Sequence, residues 1–136
     1  MARILVIDDD ADVGETLRLQ LEEGGYGVDV AGNGRAGIAK FREKRFDLVL
    51  TDLFMPDVEG IETLRTLRGI APDVPVVVMS GGSRTMPDPG GSYLDKARRL
   101  GAAGTLAKPF GPRQLLSVVG DCLDRTKPEG KALPGL

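Results

Sequence analysis

With 136 residues, 18 Lys+Arg and 20 Asp+Glu, the chain has room for one domain, and its formal net charge of −2 offers no global basic field to nucleic acid or an anionic membrane. Hydrophobic residues at 41% and charged residues at 28% make an ordinary globular composition with material for a core. The lack of histidine removes imidazole triads, histidine-ligated zinc and phosphohistidine chemistry from this chain, and the single cysteine, Cys122, excludes an intramolecular disulfide and suits a reducing compartment.

Arg3 to Ile7 reads as a short, continuously apolar strand of the kind buried on both faces of a sheet. Arg3 is followed only by this run, which ends in aspartates, so no secretory leader is expected, and no apolar run approaches the roughly 20 residues of a membrane span. A cytoplasmic protein is the expectation. Asp10 or Asp12 can cap a following helix in which Val13, Leu17 and Leu21 share one side, and Gly24-Gly25 stops it. Gly27 to Ala31 is a second strand, closed by the turn signal Asn33-Gly34, and Gly37 to Arg45 reads as a helix with Ile38 and Phe41 inward.

Asp47 to Thr51 is a third buried strand, running into Asp52, and Met55-Pro56-Asp57 breaks the chain before a helix carrying Ile61, Leu64 and Leu67. Pro75 to Met79 is a fourth strand ending on Ser80. Gly81 to Gly91 is rich in glycine and proline and reads as a loop, with a short helix around Tyr93 to Leu100 beyond it. Gly104 to Ala107 is a fifth strand ending on Lys108. The last helix opens with Pro112 in its first turn, and Leu115, Leu116, Val119, Cys122 and Leu123 form its apolar stripe. Phe110 reads as core, and Cys122 as packing. Residues 126–136 lack periodicity and read as a disordered tail, leaving 1–125 as the domain.

Five alternations of strand and helix imply an α/β fold: a five-stranded parallel sheet with right-handed crossovers and helices on both faces. Functional groups in such sheets gather beyond the carboxyl ends of the strands. Strands one, three, four and five end on Asp8-Asp9, Asp52, Ser80 and Lys108, so these residues are expected at one edge. Each has a bland reading alone: a capping acid, a turn residue, the start of a glycine turn, a lysine before a proline. Their convergence favours a shared site.

Close carboxylates repel, by roughly 4 kcal/mol per pair at about 4 Å and an effective dielectric near 20. Several such pairs rival the roughly 5–15 kcal/mol stability of a whole domain, so a cation is the expected partner. Hard oxygen donors without histidine or nearby cysteine favour Mg²⁺ or Mn²⁺, and such an ion keeps positions open for phosphate oxygens. A lysine and a hydroxyl suit phosphoryl oxygens, and an aspartate can accept a phosphoryl group as an acyl phosphate.

The motifs LVIDDD, DLVLTDLFMPDVEG, VVVMS and GTLAKPF, in this order over about residues 3 to 125, resemble the receiver domains of two-component response regulators, the stand-alone chemotaxis type among them. The resemblance implies a flavodoxin-like (βα)5 fold with strand order 2-1-3-4-5. It implies Asp52 as the phosphoacceptor, with Asp8, Asp9, Asp52 and the backbone carbonyl of Phe54 holding Mg²⁺. Ser80 would be the hydroxyl drawn to the phosphoryl group and Lys108 its ion-pairing partner, with a cis bond before Pro109. The implied donor is a phosphohistidine on a sensor histidine kinase or histidine phosphotransfer protein. Output would pass through a protein partner, with no nucleic acid and no membrane, from a monomer or weak dimer. The protein would not be an enzyme beyond its own phosphoryl transfer and autodephosphorylation.

Two departures stand out. Thr105 occupies the position, three before the lysine, that is usually aromatic in the family. Residues 81–91 also make a longer, more Gly/Pro-rich loop than is usual there. Together they imply a signal carried by that loop instead of by a swinging aromatic ring, with Tyr93 as a possible substitute ring. The rival readings are a haloacid-dehalogenase-type phosphatase using Asp8 as nucleophile and a receiver fold that binds without taking phosphate. The phosphatase lacks its downstream acidic pair, since Asp121 and Asp124 fall inside the last helix, and it leaves Asp52 without a role.

Overall fold

The computed structural model describes residues 1–52, 59–80 and 92–126, apart from the side chains of 59, 92–94 and 126. Its elements run β1 (Arg3–Ile7), α1 (Ala11–Glu23), β2 (Gly27–Ala31), α2 (Gly34–Glu43), β3 (Leu48–Asp52), α3 (Glu59–Ile70), β4 (Val76–Ser80), α4 (Ser92–Arg99), β5 (Gly104–Ala107) and α5 (Pro112–Thr126). All four strand pairings are parallel, in the order β2-β1-β3-β4-β5. The sheet is therefore the one expected from the sequence, and the chain changes direction of travel between β1 and β3. That reversal is where a doubly wound sheet opens a crevice at its carboxyl edge.

Side chains of successive strand residues point to opposite faces, and the continuous apolar runs exploit both. Ile4, Val6, Leu48, Leu50, Val77, Met79 and Leu106 pack with Leu17 and Leu21 of α1 and with Leu115, Val119 and Cys122 of α5. Leu5, Ile7, Val49, Val76 and Val78 face the other way, against Phe41 of α2, Leu64 and Leu67 of α3 and Ala97 of α4. Each fully buried branched or aromatic side chain contributes about 1.5–3 kcal/mol by leaving water, and two such layers hold the strands rigid. Phe110 and Leu116 are partly buried at the margin of the α1/α5 layer, and Phe110 is thus not fully core.

Helix starts follow local capping. Asp10 is the N-cap of α1: its carboxylate accepts from the amides of Asp12 (3.0 Å) and Val13 (3.2 Å). Gly25, at φ +98°, supplies the left-handed turn that ends α1. Helix α2 starts at Gly34, three residues before the expected Gly37, and ends at Glu43 before Arg45, because Asn33 acts as a cap. Its side chain accepts from the Ala36 amide at 2.7 Å, so the Asn-Gly pair opens a helix instead of closing a strand. Strands β3 and β4 each sit one residue later than expected, taking in Asp52 and Ser80. The ladder reaches that far: Asp52 pairs with Met79 and Ser80 with Ala107. Helix α5 runs through Thr126, one residue past the expected domain end. The rest of the expected tail, the loop at 81–91 and the Tyr93 side chain lie outside the described residues. Among the described residues no helix is long and apolar enough to cross a membrane.

Candidate functional site at the carboxyl edge of the sheet

Parallel pairing fixes where the polar strand ends meet. The Asp8 amide donates to Ala31 O (3.1 Å) and the Lys108 amide to Ser80 O (2.7 Å), so each residue continues its strand by one step. Asp52 and Ser80 close β3 and β4. Asp8, Asp52 and Ser80 are buried, at 1%, 5% and 1% exposure. Burial without compensation is costly for such groups, so each must answer to a partner.

The partners converge on a small volume. Asp8, Asp9 and Asp52 each present one carboxylate oxygen, and all three lie within 4.8 Å of one another. The Lys108 ammonium reaches across to donate to Asp8 Oδ2 (3.3 Å) and Asp52 Oδ2 (3.2 Å). The second oxygen of Asp8 accepts from the Asp10 amide at 2.9 Å, which fixes its rotamer. Asp9 is exposed at the mouth, while Asp8 and Asp52 form the floor. Asp10 caps α1 and Asp12 lines its first turn, so neither joins the cluster.

Electrostatics follow from this packing. Burial raises the Asp8 carboxyl above its ordinary value; the Asp10 amide and Lys108 oppose that, while Asp52 adds repulsion. Burial would lower the Lys108 ammonium, but Asp52 and Asp8 together outweigh it and raise it above the usual lysine value. The ammonium thus contacts two of the three carboxylates, Asp8 and Asp52, and exposed Asp9 adds negative charge that it does not pair. A hard divalent cation fits there: the donors are all carboxylate oxygens, mutually close enough for one ion, and no His or Cys joins them among the described residues.

Other expected residues fall as follows. The Lys108–Pro109 peptide is cis. The backbone carbonyl of Phe54 lies outside the described residues, as does the loop beginning at 81. Thr105 lies on β5, and its hydroxyl accepts from Arg98 Nη2 of α4 at 2.9 Å; Arg98 Nη1 also donates to Asp95 at 2.8 Å. Sequence reading missed Arg98. Its only signal was a basic last turn in α4, which ordinarily means favourable contact with the helix dipole. A cleft of about 490 Å³ between α1 and the 108–110 turn opens beside Lys108, lined by Val13, Thr16, Leu17, Pro109 and Phe110.

Comparison with known proteins meets this geometry. A family model described as the response regulator receiver domain matches residues 4–120. The response regulator MprA of Mycobacterium tuberculosis (strain ATCC 25618 / H37Rv) is 38% identical over 130 residues, 96% of this chain and 54% of that protein. The chain spans about half the length of the curated relatives it matches. A crystal structure of a CheY-like response regulator receiver domain protein from Methanospirillum hungatei JF-1 superposes with a TM-score of 0.84 at 30% identity, covering 96% of this chain and 99% of that one. A receiver domain protein from Clostridium thermocellum gives 0.82 at 29% identity, covering 92% and 96%.

Proposed function

Because this chain belongs to the response regulator receiver domain family of two-component signalling, we propose that it accepts a phosphoryl group on Asp52 from a phosphohistidine and passes the signal to a protein partner. The observation that carries this reading is the cluster itself: three carboxylates within 4.8 Å, faced by the Lys108 ammonium. In the reaction an Asp52 oxygen attacks phosphorus; the new O–P bond forms as the P–N bond to the donor imidazole breaks, its electron pair leaving on nitrogen. Lys108, already 3.2 Å from Asp52, moves its ion pair from the carboxylate to the incoming phosphoryl oxygens. The Ser80 hydroxyl, on the neighbouring strand end, donates to another of these oxygens.

Asp8, Asp9 and Asp52 are the residues that would hold Mg²⁺, with Mn²⁺ as an alternative, and the Phe54 carbonyl is proposed to complete the set. Bound there, the ion neutralises charge on the phosphoryl oxygens. Asp8 is buried and oriented by the Asp10 amide, so it supplies a fixed ligand; exposed Asp9 supplies an adjustable one.

The proposed donor is a sensor histidine kinase or histidine phosphotransfer protein, and a cytoplasmic setting follows from that pairing. The same reading has the chain catalyse its own dephosphorylation and no other reaction. Labelling with a small acyl-phosphate donor in Mg²⁺ tests it. The expected result is one acid-stable, base-labile phosphoryl group per chain, absent from Asp52→Asn. Labelling that persists in Asp52→Asn but vanishes in Asp8→Asn would transfer the reading to a phosphatase with an Asp8 nucleophile. No labelling at all would leave a non-phosphorylated binding module.

A further inference from the structure

Charge is distributed unevenly over the two faces of the sheet. Helix α1 carries Asp12, Glu15, Glu22 and Glu23 against Arg18, whereas α2 carries Arg35, Lys40 and Arg42 against Glu43 alone. On the α2 side, α2 and α3 bound a cleft of about 360 Å³. That volume falls within the roughly 300–1,000 Å³ of small-molecule sites. Arg35, Ile38 and Arg42 line one wall, and Glu62, Thr63 and Thr66 the other.

The charged groups of this cleft do not satisfy one another. Arg35, Arg42 and Glu62 form no ion pair or side-chain hydrogen bond among the described residues. By contrast Arg3, Arg18, Arg68, Arg98 and Arg125 each donate to a carboxylate, a hydroxyl or a carbonyl. Arg35 and Arg42 are two helical turns apart, so they share one side of α2 at about 10 Å separation along the axis. Both arginines line the cleft, and a guanidinium fork suits the oxygens of a phosphate, which it can bind in a bidentate manner. Across the gap Glu62 accepts hydrogen bonds, Thr66 donates and accepts, and Ile38 gives an apolar stop. Thr63, at 2% exposure, is fixed in the wall.

We infer that the α2–α3 cleft binds a small hydroxylated phosphomonoester, its phosphate on Arg35 and Arg42 and a hydroxyl on Glu62. This site is separate from the acidic cluster and does not rest on the phosphoryl-transfer reading. Amide NMR titration of the full chain with ribose 5-phosphate, with divalent ions chelated, tests it. Saturable shifts confined to α2 and α3 are expected, weakened at least about tenfold (about 1.4 kcal/mol) in both Arg35→Ala and Arg42→Ala. Arg113→Ala, an exposed arginine change on α5, leaves the affinity unchanged. Glu62→Gln weakens ribose 5-phosphate but not inorganic phosphate. Shifts that rise linearly without saturating, that centre on Lys108, or that respond equally to Arg113→Ala would overturn the assignment. So would an affinity for ribose 5-phosphate that ignores Glu62→Gln. All four substitutions lie at exposed positions, and each variant's own spectrum reports whether it is folded.

Discussion

The Lys108 ammonium stands 3.2 Å from a carboxylate oxygen of Asp52, although 56 residues of chain separate the two. Nothing local creates this pair. It exists because β3, β4 and β5 lie side by side in register and end at the same edge.

Stability above neutral pH follows from that contact. The folded Lys108 value lies above its ordinary 10.5, so its stabilising contribution is fully present below that pH and is lost as pH rises through the folded value. In metal-free protein, urea midpoints should fall from about pH 10 upward, more steeply than in Lys108→Met. At neutral pH that variant should be less stable by about 1.5–3 kcal/mol, the range for hydrogen bonds to charged groups. Parallel pH profiles for the two proteins would show that Lys108 does not feel the two carboxylates.

A divalent ion should stabilise the fold by relieving repulsion within the cluster. At a hundredfold excess over its dissociation constant, Mg²⁺ should add about 2.7 kcal/mol, raising the melting temperature by several degrees. Removal with EDTA should reverse the rise, and Asp9→Asn should reduce it. A rise retained in full when Asp8 and Asp9 are both changed to Asn would place the ion elsewhere.

Two glycines should respond oppositely to alanine. A Cβ on Gly37 would lie 2.4 Å from Cδ1 and 2.6 Å from Cγ1 of Ile7, a fully buried residue of β1. Gly37→Ala should cost about 1–2 kcal/mol, overpacking exceeding the helix-propensity gain. Gly69 of α3 has nothing within 4 Å of such a Cβ, so Gly69→Ala should stabilise by about 0.4–1 kcal/mol. Denaturant midpoints measure both, and equal effects would contradict the packing of α2 on β1.

Cys122 should be slow to alkylate. Its thiol is raised above the ordinary value chiefly by burial, with Arg125 partly opposing, and only 1% of the residue is exposed. At pH 8 the thiolate is therefore scarcer than in a free cysteine, and iodoacetamide must wait for local opening. Labelling should be at least about tenfold faster in denaturant. Equal native and denatured rates would mean that the last helix is not docked.

The sheet was readable because four of its five strands, β1, β3, β4 and β5, run abruptly into polar residues, and those residues gather at one edge. What could not be read were features that depend on where a neighbouring chain segment lies. Asn33 has the same identity in a turn and in a cap; only the Ala36 amide in front of it decides. Asp52 and Ser80 count as strand because Met79 and Ala107 lie beside them, a fact of the ladder and not of local composition. Between Asp10 and Asp12 the sequence left the cap open, and the amides of Asp12 and Val13 settle it for Asp10. The Arg98–Thr105 bond was invisible because its partners come from separate elements and neither belongs to a motif.

The division of the interior by the sheet bears on how such a chain changes over a lineage. Leu64 lies in one apolar layer and Leu115 in the other, with no cluster in common. Losses from trimming them should simply add, as they do for distant sites. Drift can accordingly repack the α3 flank to suit a new associate while the α5 flank, and the strand termini that both flanks support, stay as they were.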